Sequence, residues 1–229
     1  IVKEGHNSLA FMKDLVASER IDCDFIVPGR FHAAHNTREY DALAREIANA
    51  PKGLEVTAHM VPRAEQRREL GTDVYHGGVV MEDHASVDPG RYHQGLLDRV
   101  LSAGATVVPH CRVEGLDRSP DGVDVLTGRG RVRARDVIVA TNGYTGTLTP
   151  WLRRRVIPIG SYIIATEPLD PEVMDRLFPT QKVVSDTRKV VYYYRPSPDR
   201  TRIVFGGRVT SGETSPLRSG GMLRADLIG

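Results

Sequence analysis

Cysteine is nearly missing from this sequence: 229 residues contain two, Cys23 and Cys111. That excludes a disulfide-stapled scaffold and a cysteine-based zinc module, and makes a reducing cytosol the expected compartment. Neither sign of charge is in excess. Thirty-one Lys and Arg against 29 Asp and Glu leave a formal charge of +2, which gives no electrostatic ground for nucleic acid as a partner. No apolar run approaches the roughly 18 residues that a bilayer crossing needs, and no signal-peptide pattern occurs, so no membrane role is expected. His32, His35, His76, His84 and His93 are scattered without metal-ligand spacing, and no metal site is expected. His110 and Cys111 are adjacent, so in a strand they point apart and form no thiol–imidazole pair. A G-x-S-x-G elbow is also lacking, which argues against an α/β-type hydrolase.

What is there describes a globular protein with a substantial core. Hydrophobic residues make up 40% and charged residues 26%, so the chain is not a disordered tail. Leu9, Met12 and Val16 share one helical face behind Asn7. Cys23–Val27 and Arg30–Ala34 read as paired short strands around Pro28-Gly29. Asn36 and Glu39 have capping-box spacing, ahead of a helix with Tyr40, Leu43, Ala44 and Ile47 on one side. Residues 62–70 read as a short exposed helix ending at Gly71. Pro89 opens the clearest helix, with Tyr92, Leu96 and Val100 on one face, Leu97 and Leu101 beside them, and Gly104 as terminator. A strand over Ala105–Val108 is expected next. A meander follows, with turns at Asp121-Gly122 and Gly128–Gly130. Beyond Ile157, "IPIGSYIIATEPL", "KVVYYYRP" and "TRIVFGGRV" predict a largely antiparallel sheet.

The stretch "RVRARDVIVATNGYT" ends the middle segment. Val137–Ala140 is apolar without alternation and reads as a strand covered on both faces, as in a parallel sheet. Small polar residues follow it. Thr141 offers a hydroxyl, Asn142 an amide, and Gly143 permits positive φ or close backbone approach. Such a turn either closes a structural unit or faces a ligand beyond the carboxyl end of the strand, and spacing leaves both readings open.

Four segments, in order, resemble the FAD-dependent oxidoreductases of the D-amino-acid oxidase-like superfamily, most nearly the branch of gamma-glutamylputrescine oxidoreductase-like proteins. They are "ERIDCDFIVPGRFHAA", "YHGGVVMEDHASVDPGRYHQGLLDRVLSAGATVVPHCRVEGL", "ARDVIVATNGYT" and "YYYRPSPDRTRIVFGGR". The resemblance implies FAD as cofactor and oxidation of the C–N bond of a small amine or amino acid to an imine. It implies a cofactor wall of Val113, through its backbone, with Ala140, Thr141, Asn142 and Gly143. Gly206 and Gly207 match closely packed glycines ahead of the flavin region. Tyr162, Tyr193, Tyr194, Arg195 and Arg208 are the substrate-side candidates, and the catalytic residues stay unassigned.

One departure stands out. No G-x-G-x-x-G fingerprint is present, and the chain opens at Ile1-Val2 without Met. The expectation is therefore a mixed α/β (α+β) internal fragment, with a partial Rossmann-like FAD-binding domain lacking its first βαβ unit and an antiparallel substrate-domain portion. Its segments are residues 1–75, shared with the substrate side, 76–147 for the FAD-binding part and 148–229 for the substrate part. FAD is expected of the intact parent and not to be retained by this chain alone. The alternatives are a noncatalytic remnant or partner-binding protein that keeps part of the fold, and an unrelated α/β enzyme using another cofactor.

Overall fold

The computed structural model describes residues 2–50, 57–157, 159–210 and 215–228. Its helices are α1 (Val2–Ser18), α2 (Thr37–Ala48), α3 (Pro89–Ser102), α4 (Pro150–Arg153), α5 (Pro171–Leu177) and α6 (Pro216–Ile228). The first strands are β1 (Arg30–Ala33), β2 (Ala58–Val61), β3 (Gly78–Met81), β4 (Val113–Ser119) and β5 (Gly122–Thr127). The others are β6 (Gly130–Ala134), β7 (Gly160–Ala165), β8 (Val183–Asp186), β9 (Tyr193–Pro196) and β10 (Ile203–Thr210). Two compact units result. One comprises Ile1–Val100, Ser161–Val209 and Ser215–Gly229; the other is mainly Leu101–Gly160.

The larger unit is built on a seven-stranded sheet in the order β2-β3-β1-β8-β9-β10-β7. β1 runs parallel to β8, while β3 runs antiparallel to both β1 and β2. β1 and β2 are therefore parallel to each other, with β3 between them and α2 as the crossover, which makes a split βαβ arrangement. Asn36 starts α2 as its spacing predicts: its side-chain oxygen accepts the Glu39 backbone N–H at 2.9 Å. Leu43 of α2 then packs on Ala34 and Val79, with Tyr40 and Ile47 beside it. The other face carries the main core. Phe31, Val80, Val184 and Phe205 meet Met174 of α5, Phe178 just after it and Leu223 of α6. β3 thus shares a sheet with β8–β10 and not with the meander.

The smaller unit contains the meander β4-β5-β6. Its two turns place Gly122 at φ +140° and Gly130 at φ +132°, where a side chain is strained. Two strand expectations are corrected here. Neither Ala105–Val108 nor Val137–Ala140 forms a strand, and Ile138 is 91% exposed. Four apolar residues in a row make a buried strand only when a neighbouring strand pairs them and something covers both faces; no strand pairs with Val137–Ala140 among the described residues. The apolar face of α3 is likewise only partly covered, with Val100 and Leu101 exposed. The single strand of Cys23–Val27 reduces to one bridge, Ile26 to Ser86.

The fold class is corrected accordingly. Helices and strands follow one another in a mixed α/β order, interrupted by the consecutive strands β4–β6 and β8–β10. The expectation of a domain lacking its first βαβ unit is not carried over to the described residues, whose first β–α–β succession, β1–α2–β2, lies in the seven-stranded sheet with β3 between its two strands.

Candidate active site

Alternation along the strands sorts the large sheet into two chemically different faces. On β1, Phe31 and Ala33 are buried in the main core, so Arg30 and His32 emerge on the opposite side. Register aligns His32 with Ser185 of β8, and Ser185 with Tyr193 of β9. Tyr193 in turn lies opposite Gly206 of β10. Its ring crosses that glycine, and its hydroxyl reaches Ser161 of β7 at 2.6 Å. A Cβ on Gly206 would sit 2.2 Å from Tyr193 Cε2. Gly206 is the clearance that lets the tyrosine lie flat. α2 covers Val79 and Met60 at one end of this face, which leaves a polar row of His32, Ser185, Tyr193 and Ser161, with Arg30 beside it.

The row is hydrogen-bonded from within. Arg30 Nε–H donates to Ser185 Oγ at 2.7 Å, and Arg30 Nη2–H points to His32 Nδ1 at 3.2 Å. Ser185 Oγ lies 2.7 Å from the same His32 Nδ1. Arg donates only, so Nδ1 is the acceptor, and neutral His32 carries its proton on Nε2. Burial, reinforced by the Arg30 charge, pushes the His32 pKa down; Asp186 and the Ser185 backbone oppose this more weakly. Burial and Arg30 lower His84 in the same way. Both imidazoles therefore resist protonation in the folded chain. Stability is full above about 6.5, the unfolded value, and falls as the pH drops below it, because the unfolded chain then binds protons that the folded chain refuses.

The other substrate-side candidates lie elsewhere. Tyr162 and Tyr194 pack against the main core on the helix-covered face. The Tyr194 hydroxyl donates to that of Tyr75 at 3.1 Å, and burial pushes its pKa well above the usual phenol range. Arg195 shares the face of Tyr193 but is tied to Ser86 Oγ and to the Val87 carbonyl, the latter at 3.1 Å. Arg208 lies in β10, with its side chain outside the described residues. Gly207 serves packing too: a Cβ there would meet the Tyr192 ring at 2.6 Å. Sequence reasoning missed Arg30, His32 and Ser185, although the alternating "RFHA" was visible as a strand with a polar side.

In the smaller unit, one cleft of about 740 Å³ brings Val113, Ala140 and Thr141 together with Arg112, Val137 and Tyr144. Asn142 and Gly143 belong to a 3-10 turn, Asn142–Tyr144, beside it. The positive φ, +48°, falls on Asn142 and not on Gly143, around which there is open space. Thr141 Oγ1 is 2.8 Å from Thr145 Oγ1. The cleft thus combines an apolar wall, an aromatic ring and a hydroxyl with the Arg112 guanidinium and the Glu114 carboxylate. No group of three or more His, Cys, Asp or Glu is placed to hold a metal ion among the described residues. None of the described helices is long and apolar enough to cross a membrane.

Comparison with known proteins places this arrangement. Residues 1–224 match the DAO family, described as FAD dependent oxidoreductase. The chain is 28% identical over 206 residues to gamma-glutamylputrescine oxidoreductase of Escherichia coli K12, covering 90% of this chain and 48% of that protein. It thus spans about half the length of the curated relatives it matches. Among solved structures, glycine oxidase from Bacillus cereus superposes with a TM-score of 0.76 at 17% identity, over 96% of this chain and 62% of that one. L-proline dehydrogenase from P. horikoshii gives 0.74 at 15% identity, over 96% and 60%. The family part of the expectation is carried by the same findings, while each curated relative is matched over about half of its own length. The family match covers residues 1–224, and relatives align with 83–97% of this chain. The chain belongs to the DAO family of FAD-dependent oxidoreductases.

Proposed function

We propose that the protein oxidises the C–N bond of a small amine or amino acid to an imine with FAD as cofactor, and that the polar sheet face carrying Tyr193 is the substrate side. The observation that carries this reading is the Tyr193–Gly206–Ser161 arrangement. A phenol laid flat over a glycine presents one ring face and one hydroxyl at a fixed position, as a substrate-orienting group must. The relatives support the reaction class, since gamma-glutamylputrescine, glycine and L-proline, the compounds their names give, all contain a C–N bond.

When bound, the flavin accepts the electrons removed from the carbon attached to nitrogen. The chain's own residues bind and orient. Val113, Ala140 and Thr141 offer one wall to the cofactor, with Asn142 and Gly143 at its rim. Arg195, anchored through Ser86 and Val87, holds the β9 end of the face in place and positions Tyr193 two residues away. Gly206 and Gly207 act through the tyrosines they admit. Tyr162 and Tyr194 support the sheet from behind.

Anaerobic mixing of the FAD-loaded protein with a panel of amines, amino acids and matched alcohols tests the reading. The expected result is loss of oxidised-flavin absorbance with amines or amino acids and none with alcohols. Reduction by alcohols alone would overturn it.

A further inference from the structure

We infer that Arg30, His32 and Ser185 form a carboxylate-binding subsite on the polar sheet face, which selects substrates carrying an acid group away from the reacting C–N bond. The inference rests on the proposed substrate side, but its test does not depend on turnover.

Arg30 carries a positive charge, and its hydrogen-bond partners among the described residues are neutral. It forms no ion pair among the described residues, although eleven such pairs occur elsewhere in them. Its bonds go only to neutral groups, Ser185 Oγ and His32 Nδ1. Those two bonds use two of the five guanidinium N–H groups, so three remain for a ligand. A partly buried cation without an anion is costly, and burial lowers the Arg30 pKa accordingly. Nearby groups deepen the need for an anion. His84 feels the same charge from Arg30. Asp186 next to Ser185 is already engaged by Arg188 on the other face.

The hydrogen-bond chain also fixes what His32 offers. With Nδ1 occupied as acceptor, Nε2–H is a donor, and no bond to it is formed among the described residues. The subsite therefore presents a planar cationic fork and a neutral N–H donor, with no acceptor except the serine oxygen. Donors without acceptors select an anion over an ammonium or an alcohol. The arginine fork matches the two oxygens of a carboxylate better than a single-point anion does. Register then places Ser185 directly beside Tyr193, so an acid held here leaves its other end over the tyrosine.

The test is an NMR titration of the protein with sodium acetate, following the 15N resonances of the His32 ring at constant ionic strength, with inorganic phosphate as a second probe. Acetate is expected to shift Nε2 saturably, with a dissociation constant on the order of millimolar. It should also raise the His32 pKa, because a bound anion favours the imidazolium, by reciprocity of linkage. Arg30→Gln should abolish the saturable shift and raise the His32 pKa without acetate, since the cation that depresses it is gone. Arg30→Lys should keep the charge yet weaken acetate binding by about tenfold, for want of the fork. No saturable shift in the unmodified protein, or the same shift in Arg30→Gln, would overturn the subsite, as would binding of phosphate but not acetate. If acetate binds while only alcohols reduce the flavin, the subsite stands and the proposed reaction falls.

Discussion

Replacing Asp186 with Ala is expected to cost about 3 kcal/mol of folding stability, measured by urea denaturation. Asp186 is fully buried at the end of β8. Its Oδ1 accepts the backbone N–H of Arg188 at 3.2 Å and of Tyr192 at 3.1 Å, while Oδ2 pairs with the Arg188 guanidinium. That guanidinium lies over the rings of Tyr75 and Tyr192, at 5.5 and 5.2 Å. Removal therefore orphans two backbone donors, strips a half-buried cation of its anion, and frees the turn that joins β8 to β9. Each orphaned donor costs about 1–3 kcal/mol, and the partial exposure of Arg188 limits the electrostatic share. Asp186→Asn keeps an acceptor and should lose about half as much. Equal stability of Asp186→Ala and the unmodified chain would contradict the placement of this carboxylate.

Gly206→Val is expected to destabilise the sheet by about 1–3 kcal/mol through overpacking and to break the Tyr193–Ser161 bond. The contact at 2.2 Å is with ring carbon Cε2, and the next, 2.5 Å, is with Cζ, so the whole phenol must swing away. Gly143→Val is the matched control. Nothing lies within 4 Å of a Cβ there, and its stability should stay within about 0.5 kcal/mol of the unmodified chain. Urea denaturation of the two variants side by side decides the matter, and equal losses would show that neither glycine provides clearance.

The parts of the fold that were legible in the sequence are the local ones. The Asn36–Glu39 cap, the Pro89 helix start and the two glycine turns of the meander depend on residues within a few positions of one another, where side-chain chemistry speaks directly to the backbone. The parallel pairing of β1 with β8 was not legible, since it joins residues about 150 apart and leaves no local trace. With it went the polar row, because Ser185 becomes a partner of Arg30 and His32 only through that pairing. Tyr193 and Tyr194 looked equivalent in "YYY" for a related reason. Alternation says that they face opposite ways, but not which side the helices cover. Val137–Ala140 misled in the other direction: a run of apolar residues states a preference for burial and cannot supply the neighbour that satisfies it.

The two faces of that one strand offer the most direct measurement. In anaerobic stopped-flow reduction of the FAD-loaded protein by an amino acid that reduces the unmodified enzyme, Tyr193→Phe should slow flavin reduction about tenfold, equivalent to ~1.4 kcal/mol of barrier. Tyr194→Phe should leave the rate within about twofold and instead lower stability by about 1 kcal/mol, through the hydroxyl of Tyr75 left behind. An unchanged rate in Tyr193→Phe together with a slowed one in Tyr194→Phe would put the substrate on the opposite face and contradict the proposed site.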